Sequence, residues 1–542
     1  MNKQRKRESW GSKIGVLLAV IGSAVGLGNF LRFPGLAASY GGGAFMIPYF
    51  ITVLILAVPL GWVEWAMGRY GGSKGLNSMP GIFLAFTKRQ GGAWIGLPAV
   101  FCSYMIFTYY AIIEAICLIF AYRYLFSMTG WFGVPGTEPM KDFFSALLGT
   151  GENGAIFQNR IFSEIFINVV ICYTINFYLT YRGISRGIER FCLWAMPALV
   201  VCGLFLTFYV MFLGNPTGLE GQSYLNGFRF VWSPIQEGKP FLESFSNPET
   251  WVVAAGQVFF SYSLGFGLIM TYASYLKHND DIALSSLIAV GGNFFCEVII
   301  GGMMVVPVAV MFLGTAAFQS LGSTFSLGFL ALPQVFEQMS YGYLFGFSFF
   351  FLLFLAAVTS SISMLQPPIV FLEESLEIGR KRSISILWML TFIGSLFILY
   401  FSKGLTALDT FDFWGGSLVA FIMATMQIIV FGWVFGIDKG MELIQHGAKI
   451  PIPKFVRWII KYVMPLYLLI IFGLWMRYNL PERIKGFNES DAVQKSVAFM
   501  LFFAFFLIVI LIQAIRRWRK HGVITHSGEF HDSSVGFIEG EL

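Results

Sequence analysis

Ser23-Ala24-Val25-Gly26-Leu27-Gly28-Asn29 interrupts one apolar stretch of this chain, and Ser261-Tyr262-Ser263-Leu264-Gly265-Phe266-Gly267 interrupts another. Glycine is less favourable than alanine in a helix by roughly 1 kcal/mol. Paired glycines beside hydroxyl and amide side chains therefore favour local unwinding. Inside a bilayer, irregular backbone persists only where protein buries it or a cavity borders it. Two such breaks at corresponding positions of two halves point to a central binding site between them.

The surrounding composition is that of a membrane protein. The 542 residues are 56% hydrophobic and 12% charged, about half the ~25% charge of a soluble domain. Twelve apolar runs are long enough to span a bilayer: 13–38, 43–70, 92–126, 163–180, 189–213, 250–275, 282–313, 341–375, 381–401, 406–434, 457–478 and 494–516. The first lacks the short core and cleavage site of a signal peptide and is expected to be retained.

Twelve spans put both termini on one side. If that side is cytoplasmic, it collects Lys3, Arg5, Lys6, Arg7, Lys88, Arg89, Arg182, Arg186, Arg380, Lys381, Arg382, Arg516, Arg517, Arg519 and Lys520, as the positive-inside tendency requires. The expectation is a multi-pass protein of the inner (plasma) membrane, surrounded by lipid. Its charges are dispersed among short loops rather than gathered on one face, which excludes nucleic-acid binding. Cys102, Cys117, Cys172, Cys192, Cys202 and Cys296 all fall within predicted spans, so no structural disulfide is expected. The histidines form no metal constellation, although His521, His526 and His531 recur every five residues in the polar tail.

The predicted fold is all-α, with helices 1–5 and 6–10 superposable and the broken helices 1 and 6 in matching positions. Because five is odd, the second set enters from the opposite side, giving a five-plus-five inverted repeat. The corresponding divisions are a cytoplasmic segment 1–12, a first repeat 13–213, a second repeat 214–434, helices 11 and 12 within 435–518, and a cytoplasmic tail 519–542. The long external stretches are 127–160, 214–249 and 315–340; the last carries Phe318, Leu327 and Phe336 and suggests an amphipathic lid. The tail after Arg519 is expected to be flexible.

Half-helices ending at mid-membrane expose unpaired backbone groups, with a partial positive charge at N-termini and a partial negative charge at C-termini. A broken helix therefore offers amides to a carboxylate and carbonyls to a cation. Gly26 and Gly28 let a carboxylate approach the backbone, while Asn29 and Ser261 supply neutral oxygens. Thr359-Ser360-Ser361, in the middle of apolar helix 8, adds hydroxyls that suit a hard cation such as sodium. The alternative is that these hydroxyls bond their own helix backbone. No nucleophile–base pair is present, so an enzyme is not expected.

Several ordered motifs resemble those of the neurotransmitter:sodium symporter family: GSAVGLGNFLRFP at 22–34, GGGAFMIPY at 41–49, EWAMGRYG at 64–71, GISRGIER at 183–190, SLGFG at 263–267, TSS at 359–361 and DFW at 412–414. The likeness covers roughly 7–435 and is nearest to the prokaryotic branch typified by the bacterial leucine transporter. No cysteine pair or large glycosylated loop follows helix 3, as the animal members would show.

The resemblance implies two sodium sites and no organic cofactor. The first would use Ala24, Asn29, Ser261 and Asn293 with the substrate's own carboxylate; Ser261 replaces a threonine and keeps the hydroxyl. The second would use Gly22, Val25, Ala356, Thr359 and Ser360. The substrate pocket would comprise Ser23, Ala24, Gly28, Ile106, Tyr110, Phe260, Ser261, Ser263, Phe266, Ser360 and Met364, with Tyr110 bonding the carboxylate and forming an aromatic lid with Phe260. Ser23 departs from an asparagine and Met364 from an isoleucine.

Monoamine carriers of the family have an aspartate at the position of Gly26; glycine leaves the acid to the substrate. The implied cargo is a neutral amino acid, aliphatic by first reading and aromatic by the alternative. Glu297 stands where chloride-dependent members have serine, which implies chloride independence. Glu64 and Glu114 are expected to cap unwound backbone or a neighbouring hydroxyl.

Arg32 and Asp412, with Gln257 nearby, would form an outer gate. Arg7 and Glu374, assisted by Trp10 and Tyr275, would form an inner one, with glutamate replacing the usual aspartate. Gly187 and Pro197 frame a stretch of helix 5 that the family unwinds. The resulting expectation is sodium-coupled import by alternating access; the resemblance also allows a homodimer. A channel would need a continuous polar path, and a sensor would often carry a larger signalling domain than this short tail.

Overall fold

The computed structural model describes residues 9–127, 140–158, 164–234, 245–321 and 324–531. Arg7 lies outside them. The first apolar segment is broken into α1a (Lys13–Ala24) and α1b (Gly28–Ser39), bent by 48°. Four continuous helices follow: α2 (Gly43–Ser73), α3 (Gly91–Ser127), α4 (Glu164–Tyr181) and α5 (Ile184–Phe212). The sixth segment is again broken, into α6a (Pro248–Ser261) and α6b (Leu268–Ala273). Then come α7 (Ile282–Leu313), α8 (Gly342–Leu376), α9 (Arg380–Tyr400), α10 (Lys403–Gln445), α11 (Val456–Glu489) and α12 (Asp491–Lys520). Among the described residues ten helices are long and apolar enough to cross a bilayer, and the bent first pair makes eleven. The two halves of the sixth segment are individually too short to count, and together complete the expected twelve.

Both breaks have local causes. Helix α1a starts at Ser12, whose hydroxyl accepts from the Gly15 amide, and stops where Val25 turns extended (φ −75°, ψ 101°). Between α6a and α6b, Ser263, Gly265 and Gly267 all adopt left-handed backbone (φ 53°, 82° and 78°). Glycine is required at 265 on a second ground: a Cβ there would lie 2.6 Å from the Ala420 carbonyl oxygen.

Helix α3 packs along α8, and these two enclose the breaks together with α1 and α6. Helix α1a also contacts α5 and α7, and α6b lies on α2. Small residues permit the closest crossings, as in other membrane bundles.

Two features differ from the sequence expectation. Helix α5 opens with a π-helical turn at Ile184–Glu189 and then continues through Pro197 without unwinding. The tail to residue 531 is docked rather than loose: the Gln90 amide donates to Gly528 O (2.8 Å) and the Phe530 amide to Lys88 O (3.0 Å). Burial of Ile524 and a left-handed Gly528 let it fold back onto the 88–90 loop. In the stretch 315–340, Phe318, Leu327 and Phe336 are buried in short helical turns, so their apolar faces pack into the bundle. The six cysteines are free thiols. His521 pairs with Glu377 (2.9 Å), and no group of three or more potential metal ligands exists among the described residues.

A Cβ at Gly68 would stand 2.3 Å from Met270 O on α6b, whereas one at Gly91 meets nothing within 4 Å. Overpacking costs about 1–3 kcal/mol. Gly68→Ala is therefore expected to lower the melting temperature of the detergent-purified protein by several degrees, with Gly91→Ala unchanged.

Candidate functional site

A cavity of about 540 Å³ lies between the two breaks. All eleven residues expected to contact substrate (Ser23, Ala24, Gly28, Ile106, Tyr110, Phe260, Ser261, Ser263, Phe266, Ser360 and Met364) line it. It extends past Arg32 and Asp412 to Ser39 and Thr324, towards the end of the bundle opposite the N-terminal segment. Tyr109, Ile113, Phe329, Leu408 and Asp409 also border it and were not anticipated. The three-to-four-residue spacing of Ile106, Tyr110 and Ile113 on α3 is a sequence signal that would have found Ile113.

Side chains satisfy most backbone groups freed by the breaks. The Gly26 amide donates to Asn29 Oδ1 (2.8 Å) and the Leu27 amide to the Tyr110 hydroxyl (3.2 Å). The Ser23 carbonyl accepts from Ser263 Oγ (2.8 Å), which ties one break to the other. Glu64 accepts from the Gly265 amide (2.9 Å), Ser103 donates to Phe266 O (2.6 Å), and Glu114 accepts from Ser361 Oγ (2.7 Å). Glu64 and Glu114 thus serve unwound backbone and a neighbouring hydroxyl. A Cβ at Gly26 would fall 2.9 Å from both Ser360 Oγ and the Tyr110 hydroxyl, so glycine keeps that corner open. The Ser23 hydroxyl is buried and has no partner among the described residues.

Two oxygen clusters flank this corner. In the first, Asn293 Oδ1 accepts from Asn29 Nδ2 (2.8 Å). The same oxygen lies 3.1 Å from the carbonyl oxygens of Ala24 and Ser261. Rotating the amide would give those carbonyls a donor, but would set two NH2 groups against each other at Asn29. Mutually facing oxygens repel unless positive charge lies among them, so this donor set fits a hard cation. The Ser261 carbonyl faces the cluster, while its hydroxyl donates to Glu297 (2.7 Å).

In the second cluster, Ser360 Oγ stands 3.4 Å from the carbonyl oxygens of Gly22, Ser23 and Val25. These separations are long for O–H···O bonds, so the oxygens surround a point without closing on it. Thr359 Oγ1 lies 3.0 Å from Ala356 O and 3.2 Å from Leu355 O, within bonding reach of its own helix. Ser360 thus reaches the Gly22 and Val25 carbonyls across from α1a, Thr359 Cβ lies 3.2 Å from where a Gly22 Cβ would stand, and the Thr359 hydroxyl stays with Ala356 and Leu355 of its own helix.

Glu297 is fully buried and accepts from Tyr49, Gln257, Ser261 and, at 3.4 Å, Asn293. It is one hydrogen bond removed from the first cluster. Gln257, expected beside the outer gate, is committed here and to Gly28 O (3.3 Å).

The ends of the site differ. Arg32 lies over the Phe260 ring (4.2 Å to its centroid), and Asp412 accepts from Tyr109 (2.6 Å). No direct ion pair joins Arg32 to Asp412 among the described residues. At the N-terminal end, Trp10 donates to Tyr272 O (3.1 Å) and packs edge-on against that ring (5.2 Å). Trp10, Ile184, Tyr275 and Val370 form a small apolar cluster apart from the main core. Glu374 accepts from the amides of Asn77 (3.1 Å) and Ser78 (2.8 Å). The cavity is open at one end and plugged at the other.

Residues 7–146 and 150–520 match the family model described as "Sodium:neurotransmitter symporter family". An uncharacterized sodium-dependent transporter of Methanocaldococcus jannaschii is 27% identical over 524 residues, covering 95% of this chain and 99% of that one. The sodium-dependent neutral amino acid transporter B(0)AT1 of Mus musculus is 24% identical over 536 residues, covering 86% and 81%. The crystal structure of MhsT in complex with L-phenylalanine shares the fold, with a TM-score of 0.72 at 24% identity over 86% of this chain and 99% of that one.

Replacing Glu297 by leucine removes an acceptor shared by four buried donors, of which Gln257 keeps Gly28 O and Asn293 keeps Ser261 Oγ; each donor left unsatisfied costs about 1–3 kcal/mol. Glu297→Leu is expected to lower the melting temperature markedly more than Glu297→Gln, which keeps one acceptor oxygen.

Proposed function

The chain belongs to the sodium:neurotransmitter symporter family, and we propose that it imports a neutral amino acid together with sodium, by alternating access and without chloride. It is a sodium-dependent symporter and not an enzyme. The observation that carries the substrate reading is the corner at Gly26. There Ser360 Oγ and the Tyr110 hydroxyl border space that a side chain would fill, beside the oxygens of the first cluster. A substrate carboxylate fits that corner and supplies negative charge to the cation. An amine lacking a carboxylate leaves it unmatched.

Ile106, Phe260, Phe266 and Met364 form the side-chain pocket, and the charged groups bordering the cavity (Arg32, Asp409 and Asp412) sit towards its open end. An ionised side chain buried there would be unpaired and costly. An aliphatic side chain is the first reading. Met364 favours an aromatic one as the second, because a flexible thioether adapts its shape and contacts rings well; the fold relative MhsT was solved with L-phenylalanine. Glu297 places a carboxyl group next to the first cluster, where chloride-dependent members have serine, which supports independence from chloride.

Sodium in the second cluster would join α1a to α8 and favour the state with the cavity open to the outside. Substrate would then draw Tyr110, Phe260, Arg32 and Asp412 together. A ligand shifts a two-state equilibrium only through differential affinity, and a carboxylate shared with the first sodium makes their binding mutually reinforcing. The plugged end faces the cytoplasm in this reading, with both termini there. Trp10 and Tyr275 contribute to the inner gate, and Glu374, whose Oε1 has no partner among the described residues, is the acid Arg7 would meet there.

Proteoliposomes tested with a panel of radiolabelled amino acids are expected to accumulate a neutral one only along a sodium gradient, at the same rate in chloride or gluconate. Sodium-independent uptake, or efficient uptake of an amine without a carboxylate, overturns the reading. Ser360→Ala is expected to raise the half-saturating sodium concentration about tenfold, the scale of one strong polar contact. Gly26→Asp should abolish amino-acid uptake.

A further inference from the structure

Helix α5 carries a buried acid, Glu189, that none of the roles above uses. It sits at the end of the π-helical turn, 4% exposed. Its carboxylate accepts from the Gly11 amide (2.7 Å) and the Ser12 hydroxyl (2.7 Å). The Ser12 hydroxyl in turn accepts from the Gly15 amide (2.9 Å), so one acid on α5 secures the first turn of α1a directly and through its cap. The first amides of a helix lack intrahelical partners, and negative charge is favoured beside them.

The chain makes room for this acid. A Cβ at Gly15 would stand 2.1 Å from Glu189 Oε1, and one at Gly11 would stand 3.2 Å from Oε2. Trp10, immediately before this turn, fills the cluster of Ile184, Tyr275 and Val370 that plugs the inner end. Twelve residues on, α1a ends at Gly22, Ala24 and Val25, whose carbonyls belong to both oxygen clusters; that distance is about 18 Å at 1.5 Å per residue. Glu374, the acid expected to hold the inner gate with Arg7, accepts from the Asn77 and Ser78 amides through Oε2 alone.

We propose that Glu189 is the positioning residue that latches the inner gate: its carboxylate holds the start of α1a on α5, and α1a swings clear only when those bonds break. The latch rests on the alternating-access reading, since it has a purpose only if α1a moves. Charge-assisted bonds to a buried carboxylate are the stronger kind, so their loss should shift the balance towards the inward-open state. Sodium, bound by the other end of α1a, would then have to work against a weakened closure.

Hydrogen–deuterium exchange of the intact protein in nanodiscs, with and without sodium, reads this directly. In Glu189→Gln, peptides within 9–24 are expected to exchange about tenfold faster, the scale of one charge-assisted bond, while α3 and the body of α5 stay protected. Uptake in proteoliposomes should show a half-saturating sodium concentration raised by a similar factor, with the maximal rate retained. Gly15→Ala, which displaces the carboxylate with Glu189 intact, should produce the same pattern, and the double variant should add nothing. Unchanged exchange at 9–24 overturns the latch, as does a rise spread evenly over α3, α5 and α12. If uptake ignores sodium altogether, the transport reading fails, and the exchange experiment still decides whether Glu189 holds α1a.

Discussion

A broken helix inside a membrane must find partners for the backbone groups it frees, and most of this molecule can be understood as the supply of those partners. At the first break the Gly26 and Leu27 amides are taken by Asn29 and Tyr110. At the second, Glu64 and Ser103 take Gly265 N and Phe266 O. What is left over is selective: carbonyl oxygens of Gly22, Ala24, Val25 and Ser261 remain to face one another or a hydroxyl. Acceptors without donors in a low-dielectric interior attract a cation, and both oxygen clusters arise in this way. The site is therefore a residue of incomplete satisfaction rather than an added part.

Buried acids divide the remaining work. Glu64 and Glu114 brace unwound backbone and the hydroxyl neighbour of Ser360, respectively. Glu297 gathers donors from α2, α6a and α7 beside the first cluster. Glu189 acts at the far end of α1a. Each touches a broken helix or α8, elements that border the cavity, which ties structural support to the walls of the site.

Much of this was legible along the chain because membrane constraints are written in local composition. Apolar length marked the spans, and the Gly-x-Gly pairs marked the breaks. Motif order brought together residues as distant as Ser23 and Met364, all of which border one cavity. Less was legible where partner choice depends on three-dimensional competition. Gln257 was expected near Arg32 and Asp412; its bonds to Glu297 and to Gly28 O could not be read from the chain. The polar tail looked loose, yet its backbone found the free groups of the 88–90 loop. Gly187 and Pro197 suggested an unwound stretch, whereas this conformation keeps α5 wound with Glu189 set against α1a.

The sequence by itself determined the number and breakage of the segments, the residue types at the breaks, and the family to which the chain belongs. The segments and their breaks follow from hydrophobic length and from glycine's backbone preferences, which act within a few residues, and the family follows from the ordered motifs. Only the tertiary structure decided which oxygens face one another, which acid holds which amide, and which end of the cavity is open. Those outcomes depend on groups hundreds of residues apart meeting in a medium without water, where each donor has few acceptors to choose from and the nearest buried one prevails.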